Sequence, residues 1–191
     1  MSAHPDAEVA RRVRRLEGLL EERGIVDGAQ LDATIDGYLA VAQPRNGARL
    51  IARAWVDEEF RGRLLEDGAD VVRELGHLME TPVFRVVENT DEVHNVVVCT
   101  LCSCYPIALL GPSPSWYRSE AYRSRVVRDP RGVLAEFGCE LDEGVEVRVW
   151  DASAETRYLV LPRRPENTEG WSEGELAELV TRRGMIGTAE L

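Results

Sequence analysis

Apolar residues recur at helical spacing through the first forty positions, then give way to short β-branched runs. From about Glu8 to Arg23, Val9, Val13, Leu16, Leu19 and Leu20 fall three or four apart, and Gly24 is placed to end that helix. The first dozen residues are polar and read as a disordered lead into it. A second helix is expected over Asp27 to Val41, with Leu31, Ile35 and Leu39 on one face. Pro44-Arg45-Asn46-Gly47 reads as a turn, and a longer helical run follows from Arg49 to Leu75. Asp57 is placed to cap a fresh segment within that run.

At Val83 the period changes. Val83-Phe84-Arg85-Val86-Val87 and His94-Asn95-Val96-Val97-Val98 read as two strands joined by a tight turn. Pro106, Gly111, Pro112 and Pro114 keep the next stretch irregular before a helix expected over Ser119 to Phe137. Glu146 to Trp150 and Arg157 to Leu161 alternate as strands, with Ala152 to Glu155 as their turn. Ser172 and Glu175 form a capping-box pattern for a last helix reaching Arg182. The pattern predicts an α+β fold in which helices layer on short, mostly antiparallel strands. Residues 1–48 would form a helical N-terminal arm and residues 49–191 a larger domain carrying the strands.

Charge and composition narrow the function. The formal net charge of −11 argues against non-specific nucleic-acid binding, which needs an excess of cations to neutralise phosphates. The basic residues are dominated by arginine, suited to pairing with carboxylates and sulfur oxyanions at interfaces. No run approaches the roughly 18 apolar residues of a membrane span. The polar start lacks a signal-peptide core, so the cytoplasm is the expected location.

The chemistry concentrates in one place. Cys99, Cys102 and Cys104, three of the four cysteines, fall within six residues at the end of the second expected strand. Cys102-Ser103-Cys104 is short enough to wrap one metal ion with two sulfurs and the amide nitrogens of Ser103 and Cys104 in a plane. Cys99 reaches the same ion from an axial direction, and one position stays open, as in a catalytic rather than a closed structural site. Taken alone, the cysteines also admit a structural zinc site closed by Cys139 or His94. An iron–sulfur ligand set fits the spacing poorly, and a disulfide leaves one thiol over.

Cys99-Thr100-Leu101-Cys102-Ser103-Cys104 resembles the metal claw of nitrile hydratase alpha subunits, in the form with threonine after the first cysteine that holds cobalt. The resemblance extends along the chain through Pro44-Arg45-Asn46-Gly47-Ala48-Arg49, Trp116-Tyr117-Arg118, Tyr122 to Arg128, Val147 to Asp151, Arg157 to Pro162 and Met185-Ile186-Gly187. It implies one trivalent cobalt per chain, held by Cys99, Cys102, Ser103 and Cys104. Cys102 would be oxidised to a sulfinate and Cys104 to a sulfenate, with Cys99 an unmodified thiolate. The implied reaction is hydration of a nitrile to an amide by Lewis-acid activation, with water or the Cys104 sulfenate oxygen attacking the nitrile carbon. Implied partners are one or two beta-type subunits, gripped by the helical arm, and an activator protein that inserts cobalt. Thr100 and Tyr105 adjoin the ligands, and Arg157 matches a family arginine behind the site. The metal subunit of thiocyanate hydrolase shares the claw and is the rival enzyme. A zinc-binding subunit without catalysis is the rival from another class.

Two positions depart from the cobalt pattern. Tyr-Pro-Trp-Pro usually follows the claw, whereas here the residues are Tyr105-Pro106-Ile107-Ala108. Isoleucine for tryptophan would open space beside the metal, which predicts a bulky, heteroaromatic or nucleoside-like nitrile such as a cyano-deazapurine nucleoside. Upstream, Glu80 stands where the family has glutamine, adding a carboxylate to the candidate pocket.

Overall fold

Helix α1 spans Pro5–Glu22, so the helix expected from about Glu8 begins three residues earlier, inside the expected lead. Alanine, glutamate and arginine fill this stretch, and all three are strong helix formers. The computed structural model describes residues 5–77 and 83–191. Gly24 ends α1 at φ +64°, with its N–H on the Glu21 carbonyl and that of Ile25 on the Leu20 carbonyl. This is the left-handed glycine stop the sequence predicts. Helix α2, Gly28–Val41, starts where the Asp27 carboxylate accepts the Gln30 N–H at 3.0 Å, and it has no buried residue. These helices belong to one compact unit, residues 1–41, and residues 42–191 form a second.

In the second unit the expected Pro44–Gly47 turn is instead the start of helix α3, Pro44–Val56. Proline suits that position because the first helical N–H has no partner to lose. Gly47 is there for proximity: a Cβ would lie 2.7 Å from Met185 Sδ and 2.9 Å from the Leu109 carbonyl. The expected run to Leu75 is cut twice by aspartate caps. Asp57 accepts from Phe60 N–H at 2.9 Å and starts helix α4, Glu58–Glu66. Asp67 does the same to Asp70 at 3.0 Å and starts helix α5, Gly68–Glu74. An aspartate that bonds the backbone ahead of it ends one helix to begin the next.

Helices α6, Ile107–Leu110, and α7, Ser115–Arg118, are single turns in the proline-rich stretch. The helix expected over Ser119 to Phe137 is split into α8, Glu120–Val126, and α9, Pro130–Glu136. Asp129 caps Gly132 there, and Pro130 has no N–H to continue α8. The Ser172–Glu175 capping box is present and opens α10, Glu173–Leu179, with α11 following at Arg182–Ile186.

The strands fall where expected, but their pairing corrects the antiparallel expectation. They are β1 Val83–Glu88, β2 Val93–Val98, β3 Glu146–Asp151 and β4 Thr156–Leu161. β1 pairs with β4 and β2 with β3, both in parallel, with Val98 opposite Asp151. Neither neighbouring pair along the chain forms a hairpin. Between β1 and β2 two asparagine side chains occupy the backbone groups a hairpin ladder would use. Asn89 Oδ1 accepts the Asn95 N–H at 2.8 Å, and Asn95 Nδ2 donates to the Glu88 carbonyl at 2.7 Å. β2 is buried at every residue but its first, as parallel strands covered on both faces are.

Asn95 also accepts from Trp150 Nε1 at 2.8 Å, and His94 Nε2 lies 2.8 Å from the Gly187 carbonyl. A carbonyl only accepts, so His94 carries its proton on Nε2 and takes the Asn89 amide on Nδ1 at 3.3 Å. Gly187 ends α11 at φ +86°, and a Cβ there would sit 1.9 Å from the Asn95 carbonyl oxygen. Gly187→Ala should therefore cost about 2–6 kcal/mol in denaturant unfolding, since overpacking and left-handed strain each cost roughly 1–3 kcal/mol. A loss below about 0.5 kcal/mol, the usual range of an unremarkable substitution, would contradict this account. No helix among the described residues is long and apolar enough to cross a membrane.

Candidate metal centre

The buried strand β2 delivers Cys99, fully buried, at the point where the chain leaves the sheet. The loop then turns outward, so that Cys102 is exposed and Cys104 half-buried. Leu101 at its tip is 87% exposed. Cys99 Sγ and Cys102 Sγ are 3.3 Å apart, and Cys102 Sγ and Cys104 Sγ 3.2 Å. These are contacts between free thiols, far longer than a disulfide bond. All three sulfurs lie within 4.8 Å of one another, the one such cluster among the described residues. Neither His94 nor Cys139 joins it, so the fourth side-chain ligand of a closed zinc site is not assembled there.

The cluster is electrostatically uneven. Hydrogen bonds from the Cys104 and Cys99 thiols, then from the Cys104 and Ser103 amides, lower the Cys102 thiol to about 7. Burial first, and the bond it gives Cys102 second, push the Cys104 thiol up to about 12. Near neutral pH the exposed Cys102 thus carries thiolate character while Cys104 keeps its proton. The Cys102 N–H, in turn, donates to the Cys99 sulfur at 3.3 Å. Three soft sulfur donors within 4.8 Å of one another form a donor set that suits a thiophilic transition metal. The residues present fit such an ion.

Side chains remote in sequence hold the loop, and sequence reasoning assigned none of them this role. The Asp151 carboxylate, at the end of β3, accepts the Thr100 N–H at 2.9 Å and the Thr100 hydroxyl at 2.6 Å. Arg123 Nη1 donates to the Thr100 carbonyl at 3.0 Å. Tyr117 donates its hydroxyl to the Cys104 carbonyl at 3.0 Å, and Tyr122 to the Val97 carbonyl at 2.7 Å. The only signal in the sequence was their place in the motif-like stretches Trp116 to Arg128 and Val147 to Asp151.

The sequence candidates are distributed as follows. Tyr105 is buried, its ring edge-on to Tyr117 at 5.1 Å, and its hydroxyl finds no partner among the described residues. Burial raises its pKa well above that of a free phenol. Ile107 opens α6 half-buried, its N–H on the Tyr105 carbonyl. Arg157 lies near enough to Cys104 to favour its thiolate, and it donates to the carbonyls of Ser153, Ala154 and Thr156. Trp116 is half-buried in an aromatic cluster with Tyr122 and Phe137. Cys139 is a buried free thiol apart from the cluster. Glu80 lies outside the described residues.

Comparison with known proteins identifies the frame. The family model described as "Nitrile hydratase, alpha chain" matches residues 7–189. The chain belongs to the nitrile hydratase alpha-chain family. Among members, it is 51% identical over 183 residues to the low-molecular weight cobalt-containing nitrile hydratase subunit alpha of Rhodococcus rhodochrous, covering 95% of this chain and 88% of that one. Its fold superposes on a double mutant of the Fe-type nitrile hydratase of Comamonas testosteroni with a TM-score of 0.92 and 42% identity. That match covers 98% of this chain and 92% of the other. Thiocyanate hydrolase subunit gamma of Thiobacillus thioparus is 46% identical over 164 residues, covering 80% of this chain and 68% of the relative.

Proposed function

We propose that this chain is the cobalt-binding alpha subunit of a nitrile hydratase and acts with one or two beta-type subunits. The observation that carries the reading is the convergence of Cys99, Cys102 and Cys104 in a loop that is buried at one end and open at the other. Thr100 and the cobalt-containing relatives favour cobalt over iron. The sulfurs of Cys99, Cys102 and Cys104 and the backbone nitrogens of Ser103 and Cys104 would hold the ion. When bound, trivalent cobalt supplies Lewis acidity for the addition of water across a nitrile.

The chain's own residues divide the remaining work. Buried Cys99 anchors the cluster to the sheet, while exposed Cys102 and half-buried Cys104 present their sulfurs to substrate and partner. Oxidation of these two to sulfinate and sulfenate would add oxygens able to accept hydrogen bonds from donors of the partner subunit. Asp151, Arg123 and Tyr117 fix the loop, and Arg157 places positive charge near Cys104. The helical arm, residues 1–48, supplies the grip on the partner. Its helices leave Val9, Val13, Leu16, Leu19, Leu31, Ile35 and Leu39 exposed. An activator protein loads the metal.

The deciding experiment is co-expression with the partner subunits in cobalt-supplemented cells, followed by metal analysis and intact mass. About one cobalt per chain, as one claw accommodates, with oxygens mapped to Cys102 and Cys104, is the expected result. Zinc or no metal with unmodified thiols in a correctly assembled complex overturns the reading. The 46% identity to thiocyanate hydrolase subunit gamma favours a second reading, as the metal subunit of a thiocyanate hydrolase. Relative rates on thiocyanate and organic nitriles separate the two.

The substrate proposed is a bulky heteroaromatic or nucleoside-like nitrile, because Ile107 opens α6 two residues beyond Tyr105 where the cobalt pattern carries tryptophan. Ile107→Trp should shift the ratio of kcat/KM values toward small aliphatic nitriles by roughly tenfold, the scale of a modest change in pocket volume. A native enzyme that prefers acrylonitrile to every bulky nitrile tried would sink the substrate proposal.

A further inference from the structure

Three carbonyls of the segment from Val97 to Cys104 are held by side chains of one short stretch, α7–α8. Tyr122 holds Val97 where β2 ends, Arg123 holds Thr100 between the first two cysteines, and Tyr117 holds Cys104 at the last. Tyr117 is fully buried and Tyr122 nearly so. Their rings pack against each other at 5.8 Å, and Trp116 stacks edge-on to both. The donors therefore sit on a rigid aromatic base, while the loop they hold carries the exposed residues Leu101, Cys102 and Ser103. An exposed loop with short side chains has little packing of its own to fix it. Preorganised donors from behind make up that deficit.

We propose that α7–α8 is a saddle that sets the shape of the thiol cluster before any metal arrives, with Tyr117 and Arg123 as positioning residues for Cys104 and for the Cys99–Cys102 turn. Tyr117 acts through the peptide group that follows Cys104, and so fixes the direction in which that residue's sulfur approaches Cys102. Arg123 works opposite Asp151: the carboxylate takes the Thr100 N–H and hydroxyl, and the guanidinium takes its carbonyl. Thr100 is thereby held through both of the peptide groups that flank it. The Arg123 Nε is buried and has no partner among the described residues, so the guanidinium is committed to this contact at some cost in desolvation.

The inference concerns the metal-free chain and does not depend on the identity of the metal or substrate. It is tested by alkylating the full metal-free chain with iodoacetamide and mapping modified cysteines by mass over time. Cys139, buried and remote from the cluster, reports any general opening of the fold. Tyr117→Phe removes one hydroxyl and keeps the ring. It should raise the alkylation rate of Cys104 about fivefold, the factor set by one ordinary hydrogen bond, with Cys139 unchanged. Arg123→Gln should act in the same way on Cys99 and Cys102. Tyr122→Phe, whose hydroxyl bonds the strand end, should leave Cys104 within about twofold of the native rate, well under the effect of one hydrogen bond. Unchanged cluster rates in both Tyr117→Phe and Arg123→Gln, or a rise of Cys139 in step with the cluster, would overturn the proposal. Failure of the cobalt reading would instead show in metal content, with these rates unaffected.

Discussion

Replacing Ser103 with proline should leave the assembled protein with at most about a tenth of its cobalt, the scale on which a disturbed metal site loses affinity. Ser103→Ala should retain nearly all of it. Ser103 is exposed, and its side chain makes no contact that a claw requires. What the claw requires is the backbone nitrogen, which must lose a proton to bind as an anionic donor. Proline has no proton there to lose. Alanine keeps that proton. The same pair of variants distinguishes a claw from a thiol-only site. Zinc held by the sulfurs of Cys99, Cys102 and Cys104 would be indifferent to the nitrogen, so zinc binding by the Ser103→Pro chain serves as a check that the loop still forms. Full cobalt in Ser103→Pro, or equal loss in Ser103→Ala, would remove the amides from the ligand set.

How far the sequence revealed this molecule depends on how local each feature is. The cysteine cluster was legible because its donors are contiguous. The spacing of Cys102, Ser103 and Cys104 alone limits what they can reach, and the sulfurs do converge. The strands were legible from their β-branched runs. Their partners were not, because alternation records which face is buried and says nothing of strand direction. The deciding residues were Asn89 and Asn95, whose amides replace the ladder of a hairpin between β1 and β2. Asp67 and Asp129 were hidden for a different reason. Both sit in runs whose apolar spacing continues smoothly, so periodicity outweighed the tendency of aspartate to bond the backbone ahead of it. The supports of the loop were illegible because they are distant. Thr100 and Asp151 are 51 residues apart, and only the parallel register that sets Val98 opposite Asp151 brings them together.

That register leads to the second large effect. Asp151→Ala should lower kcat by roughly ten- to a hundredfold, or reduce cobalt retention to match, as loss of an outer-shell partner typically does. Among the described residues the carboxylate is the sole acceptor for both the Thr100 N–H and the Thr100 hydroxyl, and the hydroxyl contact at 2.6 Å is a short, charge-assisted bond. Removing it frees the residue between Cys99 and Cys102 on one edge, leaving only the Arg123 contact on the other. Asp151→Asn should be milder, since its carbonyl oxygen can still accept the N–H while the hydroxyl turns to accept from the new amide. Thr100→Val removes the hydroxyl alone and should fall between native and Asp151→Ala. Combined with Asp151→Ala it should add little, because its partner is already gone. Stability offers the alternative explanation, and it is separable. Asp151 ends an exposed strand edge, so a purely structural role predicts a lowered unfolding midpoint with native cobalt content and rate in the folded fraction. The loop-positioning role predicts a near-native midpoint with altered metal absorption and a depressed rate.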